Sequence, residues 1–89
     1  MRELLADSRE ELDEEGTAHR FRYYVLVDEM DVGGLCCESY GVKVTAEDGE
    51  EAQVHNITVR PDRIDELVDL LRRNAVSPVA LRDVVEDWL

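Results

Sequence analysis

The chain has 89 residues, of which 44% are hydrophobic and 36% charged, and its formal net charge is −12 at pH 7. This apolar content argues for one small folded domain and against a disordered chain. The acidic charge disfavours direct binding to nucleic acid or to an anionic membrane, because both are polyanions. Basic proteins and cations remain as candidate partners.

Alternating apolar residues predict β-strands in the first two thirds of the chain. Residues 19–28 are dense in aromatic and β-branched side chains at a period of two, which is typical of a central strand. Residues 35–45 repeat the alternation after the turn signal Gly33-Gly34. A shorter strand is predicted over residues 51–58.

Residues 2–12 fit either a helix or a strand by their spacing. The turn signal that follows at Glu15-Gly16 favours a strand that pairs with residues 19–28. The resulting register makes two favourable cross-strand pairs, Glu11 with Arg20 and Leu5 with Leu26.

Two amphipathic helices are predicted next, over residues 61–73 and 78–88. Each begins with a proline at the first helical position, where a fixed φ and a missing N–H are tolerated. Asn74 is predicted to end the first helix in the left-handed conformation. Apolar residues recur at helical spacing in both segments: Ile64, Leu67, Val68 and Leu71, then Leu81, Val84, Val85 and Trp88.

These elements predict an α+β fold and a single domain over residues 1–89. An antiparallel β-meander of three to four strands is followed by two amphipathic helices packed on one sheet face, in the order ββββαα. The face under the helices is predicted to carry Tyr23, Val25, Val27, Tyr40, Val42 and Val44.

The opposite face of the sheet is predicted to bind a partner. Alternation places there Arg20, Arg22, Tyr24, Leu26, Lys43, Gln53 and His55. Tyr24 and Leu26 form an apolar centre that the helices cannot cover, with Arg20 and Arg22 at its rim. This pattern favours a weak homodimer or a protein partner on that face, and an ordinary solvated face is the alternative.

The only cysteines, Cys36 and Cys37, are adjacent and are predicted to be free thiols. Neighbours on a strand point to opposite faces, so one is expected to be buried and the other half-exposed. Free thiols agree with a reducing compartment, and without a signal peptide or an apolar membrane span the chain is expected to be cytoplasmic. Metal binding by this pair with His19 or His55 matches no zinc spacing.

No residue pattern predicts a catalytic, metal-binding or cofactor-binding site. Either cysteine with His55 is the single combination of a nucleophile and a base. We therefore expect a non-enzymatic, acidic protein-interaction or regulatory module. The alternative is a small-molecule or metal-binding domain that uses the outer sheet face or the pair Cys36 and Cys37.

Three segments carry a resemblance to a known family. They are Tyr40 to Val44, Ile57-Thr58, and Asn74 to Leu89, which reads NAVSPVALRDVVEDWL. The chain resembles a family of short uncharacterised bacterial proteins, a domain of unknown function mainly in anaerobic Gram-positive bacteria. The resemblance implies a cytoplasmic bacterial origin and brings no activity, cofactor or partner.

Overall fold

A computed structural model describes residues 2–12 and 14–89. Four strands pair antiparallel in the order β1-β2-β3-β4, and two helices follow them. The elements are β1 (Arg2–Leu12), β2 (Ala18–Val32), β3 (Leu35–Ala46), β4 (Glu51–Thr58), α1 (Pro61–Arg73) and α2 (Leu81–Trp88). The predicted fold class, a four-stranded meander followed by a helical pair, is confirmed.

The helices bury one face of the sheet. Tyr23, Val42 and Val44 are fully buried there. Val27, on the same face, is 4% exposed but lies outside this core cluster. The helices and their connection supply the other side of this core: Ile64, Leu67, Val68, Leu71, Val76, Leu81 and Val85. The period-two and period-3.6 patterns therefore meet across one apolar layer, which is the main source of stability in so small a domain.

The hydroxyl of Tyr23 fixes the connection between the helices to the sheet. It is fully buried and donates a hydrogen bond of 3.0 Å to the carbonyl oxygen of Val76. A buried hydroxyl requires such a partner, because losing its hydration without one is costly. The sheet and the segment between the helices are thus held in one relative position.

The end of α1 differs from the prediction. Asn74 has a φ of −99°, and Ala75 takes the left-handed conformation with a φ of 46°. The N–H of Val76 donates to Leu71 and that of Ala75 donates to Arg72. This is the pattern of a Schellman motif, in which the left-handed residue is the one after the C-cap. Asn74 is the C-cap itself.

The second helix also begins differently from the prediction. Pro78–Ala80 forms a turn of 3₁₀-helix, and the α-helix starts at Leu81. A 3₁₀ turn at the start of an α-helix is common because it tightens the entry of the chain. The turn brings Pro78 into a buried position at the edge of the core.

The predicted register between β1 and β2 is wrong. Arg20 pairs with Glu10, and Tyr24 pairs with Leu5. The connection after Leu12 places that residue opposite Ala18, which shifts the pairing by one residue, and a bulge between Leu5 and Asp7 shifts it again.

The hairpin of β2 and β3 extends beyond the helices. Every described side chain from Glu29 to Glu38 is exposed, and we call these residues the arm. The molecule measures 54 × 23 × 18 Å, so it is elongated. The arm has few apolar neighbours to hold it in place.

Candidate functional site

The sheet face opposite the helices, the outer face, carries the residues predicted to bind a partner. The period of two along β2 places Arg20, Arg22, Tyr24 and Leu26 on this face. The neighbouring strands supply the residues that lie opposite them: Glu3, Leu5, Ser8 and Glu10 from β1, and Gly41, Lys43 and Thr45 from β3. All four predicted residues therefore share one surface.

Leu26 is not available on that surface. It is 0% exposed, and the core cluster beneath the helices does not include it. The expectation that Leu26 is left uncovered is therefore wrong. We attribute this burial to two polar pairs, because Glu3 and Gly41 lie opposite Leu26 and each pair crosses a strand beside these residues.

The first pair runs across β2. Lys43 lies opposite Tyr24, whereas Glu3 lies opposite Leu26. The Lys43 Nζ donates to Glu3 Oε1 at 3.0 Å, lies 3.7 Å from Glu51 Oε2, and is 5.8 Å from the centre of the Tyr24 ring. The lysine side chain must therefore pass diagonally over the central strand.

The environment of Lys43 keeps it charged. Its side chain is only 17% exposed. The hydrogen bond to Glu3 raises the pKa of Lys43 above its usual value, and desolvation opposes this effect in part. The apolar stem of the lysine can cover Leu26 while its ammonium group reaches the carboxylate.

The second pair runs across β3. His55 Nδ1 and Asp28 Oδ2 are 2.8 Å apart, although the strand of Gly41 lies between their own strands. A Cβ atom at Gly41 would overlap the carbonyl oxygen of Val54 and lie 2.8 Å from the Cα of His55. Only glycine permits this close approach of β4 to β3.

A bulge in β4 positions His55. Tyr40 pairs with Thr58 and Val42 with Val54, so three residues of β4 lie opposite Gly41 alone. Asn56, within the bulge, has a left-handed φ of 55°. The sequence analysis placed His55 on the outer face but did not identify Asp28 as its partner. The signal that could have revealed the bulge is Gly41, because a glycine inside an alternating strand often marks one.

Arg20 and Arg22 line a depression on the outer face with a volume of about 440 Å³. Arg20 Nη2 donates to Glu10 Oε2 at 3.0 Å, and this bond raises the pKa of Arg20. Arg20 Nε is 3.9 Å from Glu47 Oε1. Arg22 is exposed, and within residues 2–12 and 14–89 it forms no ion pair. Of these two arginines, only Arg22 lacks an ion-pair partner within the described part of the chain.

The exposed apolar surface near these residues lies at the sheet edge. β1 is an edge strand, and its Leu4 and Leu5 are 51% and 62% exposed. Leu5 lies directly opposite the half-buried Tyr24 on the outer face. We call Leu5, Tyr24 and Arg22 the edge patch. It shares Tyr24 with the predicted centre, but Leu5 on β1 takes the place of the buried Leu26.

Cys36 and Cys37 are both exposed free thiols on the arm. The expectation that one of them is buried is wrong, because the helices do not extend over this part of β3. Both line a depression of about 510 Å³, beside an ion pair of 2.6 Å between Arg2 and Glu38. Access to solvent therefore does not distinguish the two thiols.

The histidines considered as ligands for this pair lie elsewhere. Cys36 pairs with Asp31, which is twelve residues from His19 along β2, a distance of roughly 40 Å. His55 is engaged with Asp28 beside Gly41. Among the described residues, no group of three or more His, Cys, Asp or Glu side chains is arranged to hold a metal ion.

Comparison with known proteins assigns the chain to a family. Residues 2–89 match the model of a family of unknown function (DUF6514), and the chain therefore belongs to that family. No curated protein and no solved structure matches it. The expected membership in a family of unknown function is confirmed.

The helices are too short to cross a membrane. α1 has 13 residues and α2 has 8. In the described part of the chain, no helix combines the length and the apolar character that a membrane span requires.

Proposed function

We propose that this protein is a non-catalytic interaction module that forms a weak homodimer through the edge patch. The observation that carries the proposal is the exposure of Leu5, which is 62% accessible beside Tyr24 on an open sheet edge. Edge strands present unpaired backbone groups that readily accept another strand. Pairing β1 with β1 of a second copy would satisfy the unpaired backbone groups of both β1 strands at once.

Charge supports a second copy as the occupant of the patch. The chain has 22 acidic and 10 basic residues, so most of its surface repels another copy. Arg22 lies on the outer face without a carboxylate partner among the described residues. A second copy can supply that carboxylate, and this ion pair would offset part of the repulsion between the two copies.

The geometry of the thiols supports a non-catalytic role. The sequence offers one nucleophile–base combination, a cysteine with His55. His55 lies beside Gly41, which is four residues from Cys37 along β3, a distance of roughly 13 Å. That separation is several times the reach of a hydrogen bond, and His55 is already bound to Asp28.

Sedimentation velocity across a concentration series tests the dimer. We expect the sedimentation coefficient of the wild type to rise up to high micromolar concentrations, and Leu5→Glu to remain monomeric. Leu35→Glu is the matched control, because Leu35 is 71% exposed on the arm and its variant should behave as the wild type does. A wild type that stays monomeric at high micromolar concentration would refute the dimer. Equal loss of association in both variants would assign the effect to charge alone.

The alternative function is a small-molecule or metal-binding domain. Two exposed vicinal thiols beside a depression are the feature that favours it. Native mass spectrometry of protein purified without chelators reports a bound metal, a bound ligand and a dimer in one spectrum. A retained ligand or metal on a monomer would favour the alternative over the dimer.

We also propose a bacterial and cytoplasmic setting. The family resemblance supports the bacterial origin. The two free exposed thiols support a reducing compartment, because adjacent exposed cysteines would be prone to oxidation outside it. Mass measurement of alkylated protein from rapidly quenched source cells tests this, since both thiols should be found reduced.

A further inference from the structure

A groove lies at the end of the sheet opposite the arm. It is formed by the start of β2, by the turn between β3 and β4, and by the 3₁₀ turn that precedes α2. Its volume is about 530 Å³, within the range of ligand-binding sites in proteins. We call it the turn groove. It is separate from the edge patch, with which it shares no residue.

The lining of the turn groove is mostly apolar. Phe21 and Ala46 are half-buried, and Pro78 is buried at the edge of the core. Val79 lies beside them and, at 78% exposed, is the most exposed large apolar side chain among those that the structure describes. The 3₁₀ turn thus presents an isopropyl group to solvent directly above an apolar surface. A partner that inserts an apolar side chain would bury both.

The rim of the groove is acidic. Glu47, Asp48 and Glu50 line it, against the single arginine Arg20. Arg20 is itself held by Glu10 at 3.0 Å and is 3.9 Å from Glu47. Asp48 accepts a hydrogen bond of 2.9 Å from the backbone N–H of Glu50, which holds its carboxylate at the turn. Within the described residues, neither Asp48 nor Glu50 pairs with a cation.

We propose that the turn groove binds a short peptide segment of a partner protein in which one apolar side chain is flanked by lysines or arginines. The apolar side chain would lie against Phe21, Pro78 and Val79. The flanking bases would pair with Asp48 and Glu50. Because a second copy has a net charge of −12, it is repelled by this rim, and the same argument disfavours nucleic acid.

The experiment is a titration of isotope-labelled protein with a capped synthetic peptide of one phenylalanine between two pairs of lysines. We expect saturable shifts in the amide resonances of Ala46 and Val79, and affinity that falls as salt is added. Replacing the phenylalanine by glycine should weaken binding at least about tenfold, as the loss of a buried aromatic side chain predicts. Replacing the lysines by serine should abolish binding.

Variants of the protein distinguish binding of the peptide in the turn groove from general attraction between opposite charges. The double variant Asp48→Asn, Glu50→Gln should weaken binding about fivefold or more, since two rim charges are lost. The control Glu86→Gln, Asp87→Asn removes the same charge from exposed positions in the last turn of α2, and it should change affinity less than twofold. Val79→Ser, at an exposed position, should weaken binding without unfolding the protein.

The proposal would be overturned by equal binding of the glycine peptide, by an equal effect of the two double variants, or by the absence of any shift at millimolar peptide. Shifts of Ala46 and Val79 on raising the protein concentration alone would also overturn it, by assigning the groove to a second copy. The proposed dimer is judged on Leu5→Glu, so either proposal can fail without the other.

Discussion

The helix-covered face buries Tyr23, Val42 and Val44 beneath apolar side chains of α1 and α2, whereas the outer face buries Leu26 to the same extent beneath polar ones. On the first face a continuous apolar layer excludes water. On the second, an ion pair of Lys43 crosses β2 and a hydrogen bond of His55 crosses β3. Side chains that are equally buried can thus be covered by apolar groups on one face and by polar groups on the other. We therefore expect their truncation to lower the free energy of unfolding by different amounts.

The largest expected effect is in the apolar layer. Leu71→Ala or Leu81→Ala should lower the free energy of unfolding by about 2–5 kcal/mol, because each residue is fully buried and a cavity would remain. Urea denaturation measures this, and Leu35→Ala on the arm should stay within about 0.5 kcal/mol of the wild type. An unchanged melting temperature for either core variant would refute the assigned core.

Leu26→Ala sharpens the comparison directly. Like Leu71→Ala, it truncates a leucine that is fully buried. At Leu26, however, the aliphatic part of Lys43 can move into the resulting cavity, or water can enter it. We expect a loss of about 2 kcal/mol, at the low end of the range for buried leucines. Denaturation of Leu26→Ala and Leu71→Ala under one set of conditions gives the difference. A loss for Leu26→Ala as large as that for Leu71→Ala would show that the outer face is packed as tightly as the core.

Gly41→Ala tests whether the close approach of β4 to β3 positions His55 against Asp28. The added Cβ would collide with the backbone of β4, so the bulge must move away and the pair of His55 with Asp28 should open. We expect a loss of about 1–3 kcal/mol in stability, the usual effect of overpacking. Asn56→Gly is the control, since it keeps the bulge and relieves a left-handed φ, and it should not destabilise. Full stability of Gly41→Ala would contradict the close approach of the two strands.

The smallest expected effect is electrostatic and depends on pH. The pKa of Lys43 is raised in the folded state, so its contribution is fully present below the ordinary lysine value of 10.5 and is lost as pH rises through the raised value. Lys43→Met keeps most of the apolar stem and removes the charge. Its stability deficit should be under about 1 kcal/mol near neutral pH and should shrink above pH 10.5. A deficit that is constant across this range would assign the effect to packing.

The helix-covered face was predictable because each of its signals is local. Pro61 and Pro78 mark helix starts, and the alternation around Tyr23 identifies the buried face of β2. The start of α2 and the left-handed residue after α1 were displaced by one to three positions. A 3₁₀ turn and a Schellman motif depend on hydrogen bonds that residue type does not specify, since alanine rather than asparagine or glycine occupies the left-handed position.

The outer face was predictable only as a set of residues. Alternation placed Arg20, Arg22, Tyr24 and Leu26 together, but it reports which side a residue faces and not what covers it. The cover depends on the register of β1, which a bulge near Leu5 shifts, and on contacts that cross a whole strand. The exposure of Cys36 and Cys37 was missed for a related reason, because the length of sheet that the helices cover depends on how they pack.

The hydrogen bond from Tyr23 to Val76 joins residues 53 positions apart in the chain, and this separation has a consequence for partly folded states. The strands come first in the chain, and the helices that cover them come later. Any state in which the sheet has formed before the helices dock therefore exposes Tyr23, Val42 and Val44. The net charge of −12 disfavours association between chains in such a state, because like charges repel.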